Sequence, residues 1–110
     1  MTEYNLQALM QQAVNAFQPE NAAGIDARIQ FHITGDQGGD WVANIQNQKL
    51  VVEPGVTQNP NLMISADTQD IFNLVGGRLN PMQAFMQGKV QVKGDMSLAM
   101  KLMSVFKKPY

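Results

Sequence analysis

The sequence predicts an α+β fold, in which a five-stranded, mainly antiparallel sheet carries helices on one face. Three segments with a hydrophobic period of two and one short apolar run indicate four strands in the first part of the chain, and a fifth alternating segment precedes the last helix. Segments with a helical period lie before and after these strands, an order typical of an α+β layer pair. We find no internal repeat or linker, so residues 1–110 are expected to form one domain.

The first element is an amphipathic helix over Thr2 to Phe17. Amide side chains separate its apolar residues, which recur at helical spacing. These apolar residues are Leu6, Leu9, Met10, Ala13, Val14 and Phe17. Pro19 ends the helix because proline cannot continue its hydrogen bonding. The following run PENAAG is expected to be a loop or a single helical turn.

The period changes to two at Ala27, where the first strand begins. The alternating apolar residues are Ile29, Phe31 and Ile33, then Trp41, Ala43 and Ile45, then Leu62, Ile64 and Ala66, and finally Val90 and Val92. The third strand is instead a continuous apolar run, Leu50 to Val52. Turn residues at Gly35 to Gly39 and at Asn47-Gln48 predict that the first three strands form an antiparallel meander. Pro54-Gly55 breaks the sheet before the fourth strand.

The stretch from Asp67 to Phe106 predicts three helices and the fifth strand. Asp67 is a candidate N-cap of a short helix that Gly76-Gly77 ends. Asn80-Pro81 is a typical helix start, since proline is favoured at the first helical position. Gly88 ends that helix, Lys89 to Lys93 alternates as a half-buried strand, and Gly94-Asp95 begins the last helix.

The last helix, expected to continue to Phe106, is apolar around most of its circumference. Its polar residues, Ser97, Lys101 and Ser104, lie on one narrow stripe. A sheet covers one side of a helix, so another helix, a partner chain or an apolar ligand is expected against the rest. Five of the eight methionines lie between Met82 and Met103, and flexible thioethers can line a cavity that accepts different guests. Such residues also occur as ordinary core.

The composition argues against several function classes. The formal charge of −1 predicts no attraction to nucleic acid and at most transient contact with an anionic membrane. The chain has no cysteine, no signal-peptide pattern and no long apolar run, so we expect a soluble, cytoplasmic protein.

The titratable residues show no catalytic arrangement. The single histidine, His32, alternates with apolar residues and is expected in solvent. Asp36 and Asp40 flank a glycine turn and lack the remaining residues of a calcium loop. No phosphate-binding glycine motif and no nucleophile elbow occurs. We therefore expect no metal, no cofactor and no enzymatic activity.

Several stretches resemble the sterol carrier protein-2 family of lipid-binding domains. The resemblance is carried by PENAAGIDARIQFHITG, by the DW pair after the turn, by NPNLMISAD and by LVGGRLNPMQAFMQGKVQVKGDMSLAMKL. It covers nearly all of the chain from Phe17 onward, and the chain resembles a stand-alone member. The C-terminal KPY is not a peroxisomal tripeptide.

This resemblance implies that the helices and the sheet enclose an apolar tunnel for fatty acyl chains, acyl thioesters such as acyl-CoA, sterols or other lipids such as isoprenoids. By analogy, inward-facing apolar residues would line this tunnel. They are Phe31, Trp41, Ile45, Phe72, Val75, Met82, Phe85, Met86, Met96, Met100, Met103 and Phe106. The first functional hypothesis is therefore a cytoplasmic lipid carrier, either monomeric or homodimeric. The alternative is an interaction module whose apolar C-terminal helix packs on a partner or on its own copy.

Overall fold

The computed structural model describes residues 6–36, 38–75 and 78–105, without the side chains of residues 6, 7, 75 and 81. Its elements in chain order are α1 (Leu6–Ala16), a 3₁₀ turn (Pro19–Asn21), β1 (Ala27–Thr34), β2 (Gly39–Gln46), β3 (Lys49–Pro54), β4 (Leu62–Asp67), α2 (Thr68–Val75), α3 (Pro81–Met86), β5 (Val90–Gly94) and α4 (Met96–Leu102). The predicted order of helices and strands is confirmed. Residues 2–5 of the first predicted helix and the predicted helix stop at residues 76–77 lie outside the described residues.

The five strands form one sheet in the order β3-β2-β1-β4-β5. The pairs β1–β2, β2–β3 and β4–β5 are antiparallel, so the predicted meander and the mainly antiparallel character are confirmed. The central pair, β1 and β4, is parallel, with Phe31 opposite Ile64. The sheet is therefore mixed.

The segment from Gly55 to Asn61, which we call the strap, joins β3 to β4. These two strands are separated by β2 and β1, so the strap must cross both of them. It crosses the face opposite the helices, where the carbonyl oxygen of Gly55 accepts a hydrogen bond from Gln30 Nε2 at 3.1 Å. The amide of Thr57 donates to Gln30 Oε1 at 2.8 Å, and the Gln30 side chain is buried as a result. A parallel strand pair needs such a crossover connection.

Asn61 completes the strap beside β1. Its amide donates to the carbonyl of Arg28 at 2.8 Å, and its Oδ1 accepts from the Arg28 amide at 2.8 Å. On its other side, the Asn61 carbonyl accepts from the amide of Asp95, immediately before α4. Asn61 therefore connects the strap, the first strand and the start of the last helix.

Side chains cap the three helices that follow the strap, at the helix starts that the sequence predicts. Asp67 Oδ2 accepts from the Gln69 amide at 3.0 Å, Asn80 Oδ1 from the Met82 amide at 2.9 Å, and Asp95 Oδ1 from the Leu98 amide at 3.1 Å. These bonds satisfy backbone donors that have no partner within the helix.

The end of α4 comes earlier than the sequence predicts. The helix ends at Leu102 instead of continuing to Phe106, and residues 103–105 form a turn. Both the amide and the hydroxyl of Ser104 donate to the carbonyl of Lys101, at 3.1 and 2.7 Å. A serine that bonds three residues back competes with the α-helical pattern. The Val105 carbonyl then accepts from the Gln18 amide, and this bond fixes the turn against the 3₁₀ segment.

Buried apolar side chains form two clusters between the sheet and the helices. The first cluster consists of Ala22, Ala27, Ile29, Ala43, Ile45, Leu62, Leu98, Leu102 and Val105. The second consists of Leu9, Met10, Ile33, Ala66, Ile71, Ala84 and Val90. Helix α4 covers the first, whereas α1, α2 and α3 cover the second.

Candidate functional site

The boundary between the two clusters is the candidate site. Four half-buried residues of the inner sheet face pack against both clusters, and we call this set the seam. The seam consists of Phe31, Val52, Ile64 and Val92. Three of these lie in one row across the sheet, because Phe31 pairs with Ile64 and Ile64 pairs with Val92. On β1 and β4, the inner residues on either side of this row belong to different clusters.

The incomplete burial of the seam distinguishes it from the rest of the inner face. Ile29 and Leu62 on one side of it are almost fully buried, as are Ile33 and Ala66 on the other side. A sheet face under a continuous helical layer would be buried along its whole length. The seam residues therefore keep part of their apolar area uncovered between the two clusters.

The structure separates the predicted tunnel residues into groups. Phe31 belongs to the seam, and Trp41 and Phe72 are half-buried beside the second cluster. Ile45 is completely enclosed within the first cluster. The side chain of Val75 and the whole of Phe106 lie outside the described parts of the chain. The described residues do not show an enclosed tunnel, so the tunnel and its lining stay predictions.

The other six predicted residues are exposed at the surface, and we call them the methionine face. They are Met82, Phe85, Met86, Met96, Met100 and Met103, with relative residue accessibilities of 38 to 77%. They belong to α3, to α4 and to the turn after α4. The structure thus brings them to the outside of two short helices that flank β5.

Helix α4 and the turn after it have apolar residues on two opposite sides. Leu98, Leu102 and Val105 are buried, with a spacing of four and three residues. Met96, Met100 and Met103 have the same spacing and are exposed. At 3.6 residues per turn, the two stripes lie on opposite sides of the helix. The methionine stripe therefore points away from the sheet.

Helix α3 repeats this arrangement on a smaller scale. Ala84 is fully buried, whereas Met82 and Met86, four residues apart, lie on the opposite side and are exposed. Both helices pack against β5, the edge strand of the sheet, and each directly adjoins β5 along the chain. The methionine face is therefore concentrated around one sheet edge.

The opposite face of the sheet holds two shallow polar depressions. One of about 330 Å³ is lined by Arg28, Val42, Asn44, Glu53, Pro54, Gly55, Val56 and Thr57. The other, of about 310 Å³, is lined by Asp26, Ala27, Arg28, Asn44, Ile45, Gln46, Asn59 and Asn61. Their linings are predominantly polar, so neither suits a hydrocarbon chain.

His32 is exposed, as predicted, and its Nδ1 lies 2.7 Å from Asp40 Oδ1 across the β1–β2 pair. Within the described ranges there is no group of three or more His, Cys, Asp or Glu residues that could hold a metal ion. Likewise, no helix in the described part of the chain is long and apolar enough to cross a bilayer.

The sequence-based selection missed three of the four seam residues, Val52, Ile64 and Val92. Their alternation already placed Ile64 and Val92 on the inner face. The alternation does not show where each helix lies above the strands, and that position decides whether an inner residue is covered. The equal spacing of apolar residues along a strand gives no signal for that.

Solved structures with this fold include sterol carrier proteins. The palmitated SCP2L2 protein of Aedes aegypti has a TM-score of 0.76 and 25% identity, covering 91% of this chain and 92% of that chain. A crystal structure of the same mosquito protein also gives a TM-score of 0.76 at 25% identity, with 92 and 95% coverage. A sec-alkyl sulfatase, PisA1, shares the fold over 16% of its length, with a TM-score of 0.81 at 14% identity over 94% of this chain. The fold thus defines an α+β domain of the sterol carrier type.

The chain belongs to the SCP-2 sterol transfer family, whose model matches residues 6–107. Sterol carrier protein 2 of Rattus norvegicus is 36% identical over 75 residues, which are 68% of this chain and 14% of that protein. Hydroxysteroid dehydrogenase-like protein 2 of Xenopus laevis is 33% identical over 94 residues, 84% of this chain and 22% of that protein. The chain therefore spans about a fifth or less of the length of these relatives.

Membership of this family gives the chain a lipid-binding, carrier role. The relatives do not favour the alternative prediction of an interaction module.

Proposed function

We propose that the seam is the floor of the ligand site and that the chain carries a lipid whose hydrocarbon part lies along this floor. The observation that carries the proposal is the half-burial of Phe31, Ile64 and Val92 between two well-packed clusters. Apolar area left open in such a position is stabilised when a hydrocarbon covers it. Among the predicted tunnel residues, Phe31 belongs to this floor, and Trp41 and Phe72 lie beside the second cluster. The methionine face lies outside the floor.

The ligand class follows from the chemistry of this floor. Its four side chains are apolar, so binding would rest on hydrocarbon burial. Each buried methylene contributes about 0.8 kcal/mol, so a chain of about sixteen carbons gains roughly 12 kcal/mol before ordering costs. That gain allows micromolar or tighter binding. A fatty acyl chain, an acyl thioester, a sterol-like ligand or an isoprenoid would fit, and the palmitated mosquito relative supports the first of these.

A pair of variants on β5 tests the position of the site. Val92→Trp would fill the seam. We expect it to lower the affinity for a fluorescent fatty acid by at least about tenfold, because the added ring occupies space for the hydrocarbon. Gln91→Trp is the matched control, since Gln91 is the neighbouring residue and is exposed on the other face of the sheet. Circular dichroism and urea unfolding would show whether each variant keeps its fold.

Native mass spectrometry of freshly purified protein tests the function itself. We expect a copurified lipid on the wild-type chain and less of it on Val92→Trp. Equal binding by the two tryptophan variants would reject the seam as the site. The absence of both copurified lipid and fatty acid binding would reject the carrier function.

We further propose that the chain is not itself an enzyme. The family model accounts for residues 6–107, and the dehydrogenase-like relatives are matched over about a fifth of their length or less. A cytoplasmic location and one domain over residues 1–110 also stay proposals, which the lack of cysteine and of a linker supports. Cell fractionation with a tagged chain and limited proteolysis would test them.

A further inference from the structure

We propose that the outer edge of β3 is an interface at which two copies of this chain pair strand to strand. The sheet order β3-β2-β1-β4-β5 gives β3 one neighbouring strand, and no strand among the described residues pairs with its second edge. The backbone groups of such an edge can accept a further strand. This inference goes beyond the proposed lipid-carrier function and does not depend on it.

The hydrogen bonds to β2 determine which backbone groups of β3 point outward. The Gly55 amide donates to the Asp40 carbonyl at 3.0 Å, so these two residues form a hydrogen-bonded pair at the end of the β2–β3 register. In an antiparallel pair of strands, every second residue makes such bonds to its neighbour. The odd-numbered residues of β3 therefore bond to β2, whereas the amides and carbonyls of Leu50 and Val52 point away from the sheet.

Two antiparallel copies of β3 can pair all of these outward groups in one register. When Val51 lies opposite Val51 of the second copy, Leu50 of each copy faces Val52 of the other. Each of these two pairs makes two backbone hydrogen bonds. A shift of two residues toward Pro54 would leave the Leu50 carbonyl without a partner, because proline has no amide proton. The register centred on Val51 is therefore favoured.

The same register brings opposite charges together. Lys49 of each copy lies opposite Glu53 of the other, and both side chains are exposed on the outer face of the sheet. The ion pair found within the described ranges joins His32 to Asp40, so Lys49 and Glu53 have no ion partner in the described part of their own chain. Charges on an edge strand usually oppose self-pairing. Here the two-fold symmetry of the dimer makes them complementary instead.

Apolar side chains lie at the centre of the proposed contact. Val51 is 54% exposed and would meet its own copy at the two-fold axis. Leu50 and Val52 are half-buried on the inner face of the sheet, and pairing would cover them further. Because β3 has only six residues, we expect a weak dimer, with a Kd on the order of 100 μM.

Charge reversal tests the pairing of Lys49 with Glu53. We expect sedimentation velocity of the full chain to show a dimer fraction that rises between about 10 μM and about 1 mM. Lys49→Glu and Glu53→Lys should each weaken self-association by at least about tenfold, because like charges then face each other. An equimolar mixture of these two variants should dimerise again, since every opposed pair then has opposite charges. Lys93→Glu, at an exposed position of β5, is the control and should leave the dimer unchanged.

Cross-linking tests the register. The chain has no cysteine, so one introduced thiol can form a disulfide only with the same position of another copy. Opposed residues that are not hydrogen-bonded have Cα atoms about 4.5 Å apart, which a disulfide can span. Val51→Cys should therefore form a covalent dimer under mild oxidation, and adding Glu53→Lys should slow this reaction. Val56→Cys is the control, because Val56 is 75% exposed but lies on the strap.

Hydrogen exchange tests the interface without any substitution. The amides of Leu50 and Val52 point outward, so we expect them to exchange about fourfold more slowly at about 1 mM than at about 10 μM, as the monomer fraction falls. The Val51 amide bonds to β2 in both states and should show no such change.

Several results would overturn the proposal. These are no self-association at about 1 mM, equal cross-linking of Val51→Cys and Val56→Cys, or exchange of the Leu50 and Val52 amides that does not depend on concentration. A dimer that neither charge reversal weakens would place the contact elsewhere and overturn it as well. Fatty acid binding measured on every variant is expected to stay at the wild-type level, so a failure of the carrier function would be detected separately.

Discussion

Helices α1 and α4 both bury apolar residues, but they carry different residues on their outer sides. Helix α1 buries Leu9 and Met10 and exposes Gln11 and Gln12, which is the usual division of an amphipathic helix. Helix α4 buries Leu98 and Leu102 just as well, yet its outer side carries methionines. The first pattern is sufficient to attach a helix to the sheet. The additional apolar stripe of α4 is therefore not needed to attach this helix to the sheet.

The largest expected difference lies between the two sides of α4. Leu98→Ala removes a buried side chain, and we expect a loss of about 2 to 5 kcal/mol in the free energy of unfolding. Met100→Ala removes an exposed side chain from the same helix and should change it by no more than about 0.5 kcal/mol. Urea unfolding with an unchanged m value measures both. Similar losses for both variants would mean that the methionine stripe is packed after all.

The next largest loss of stability is expected at Gly94, in the junction before α4. Gly94 has φ of +116°, and a Cβ there would lie 2.5 Å from the carbonyl oxygen of Asn61. Gly94→Ala should therefore cost about 2 to 4 kcal/mol, from backbone strain and steric overlap. Gly88→Ala is the control, because Gly88 also has a positive φ of +76° but no atom within 4 Å of the added Cβ. We expect about 1 to 2 kcal/mol there by thermal or urea unfolding.

A smaller loss of stability is expected when the strap loses its hydrogen bonds to Gln30 on the other face of the sheet. Gln30→Ala removes the partner of the Thr57 amide and of the Gly55 and Trp41 carbonyls, so we expect a loss of about 1 to 3 kcal/mol. Gln46→Ala, at an exposed position of β2, is expected to be nearly neutral. Hydrogen exchange of the Thr57 amide would report the strap directly. Unchanged exchange in Gln30→Ala would contradict this role of Gln30.

The smallest effect concerns the start of α3. Asn80→Ala removes the cap that accepts from the Met82 amide, and we expect about 1 kcal/mol of destabilisation. Gln83→Ala, an exposed position in the same helix, should change the stability by no more than about 0.5 kcal/mol. Equal unfolding midpoints for Asn80→Ala and wild type would show that α3 does not depend on its cap.

Much of this fold could be predicted because its signals are local. The alternation from Ala27 to Thr34 and the caps at Asn80 and Asp95 depend on neighbouring residues, and each lies where the sequence predicts it. The parallel pairing of β1 with β4 is different. It depends on the strap, in which Thr57 is hydrogen-bonded to Gln30, 27 positions away in the chain.

The site was less predictable than the fold. Met96, Met100 and Met103 have the same helical spacing as Leu98, Leu102 and Val105, so the pattern cannot tell which stripe faces the sheet. The structure shows that the leucines and the valine are the buried set.

Asn61 is hydrogen-bonded both to β1 and to the residue that caps α4. Its amide and side chain hold Arg28, and its carbonyl holds the amide of Asp95. A tilt of α4 would therefore pull on the same residue that anchors the end of the strap. The strap on one side of the sheet and the start of α4 on the other thus share one hydrogen-bonded residue.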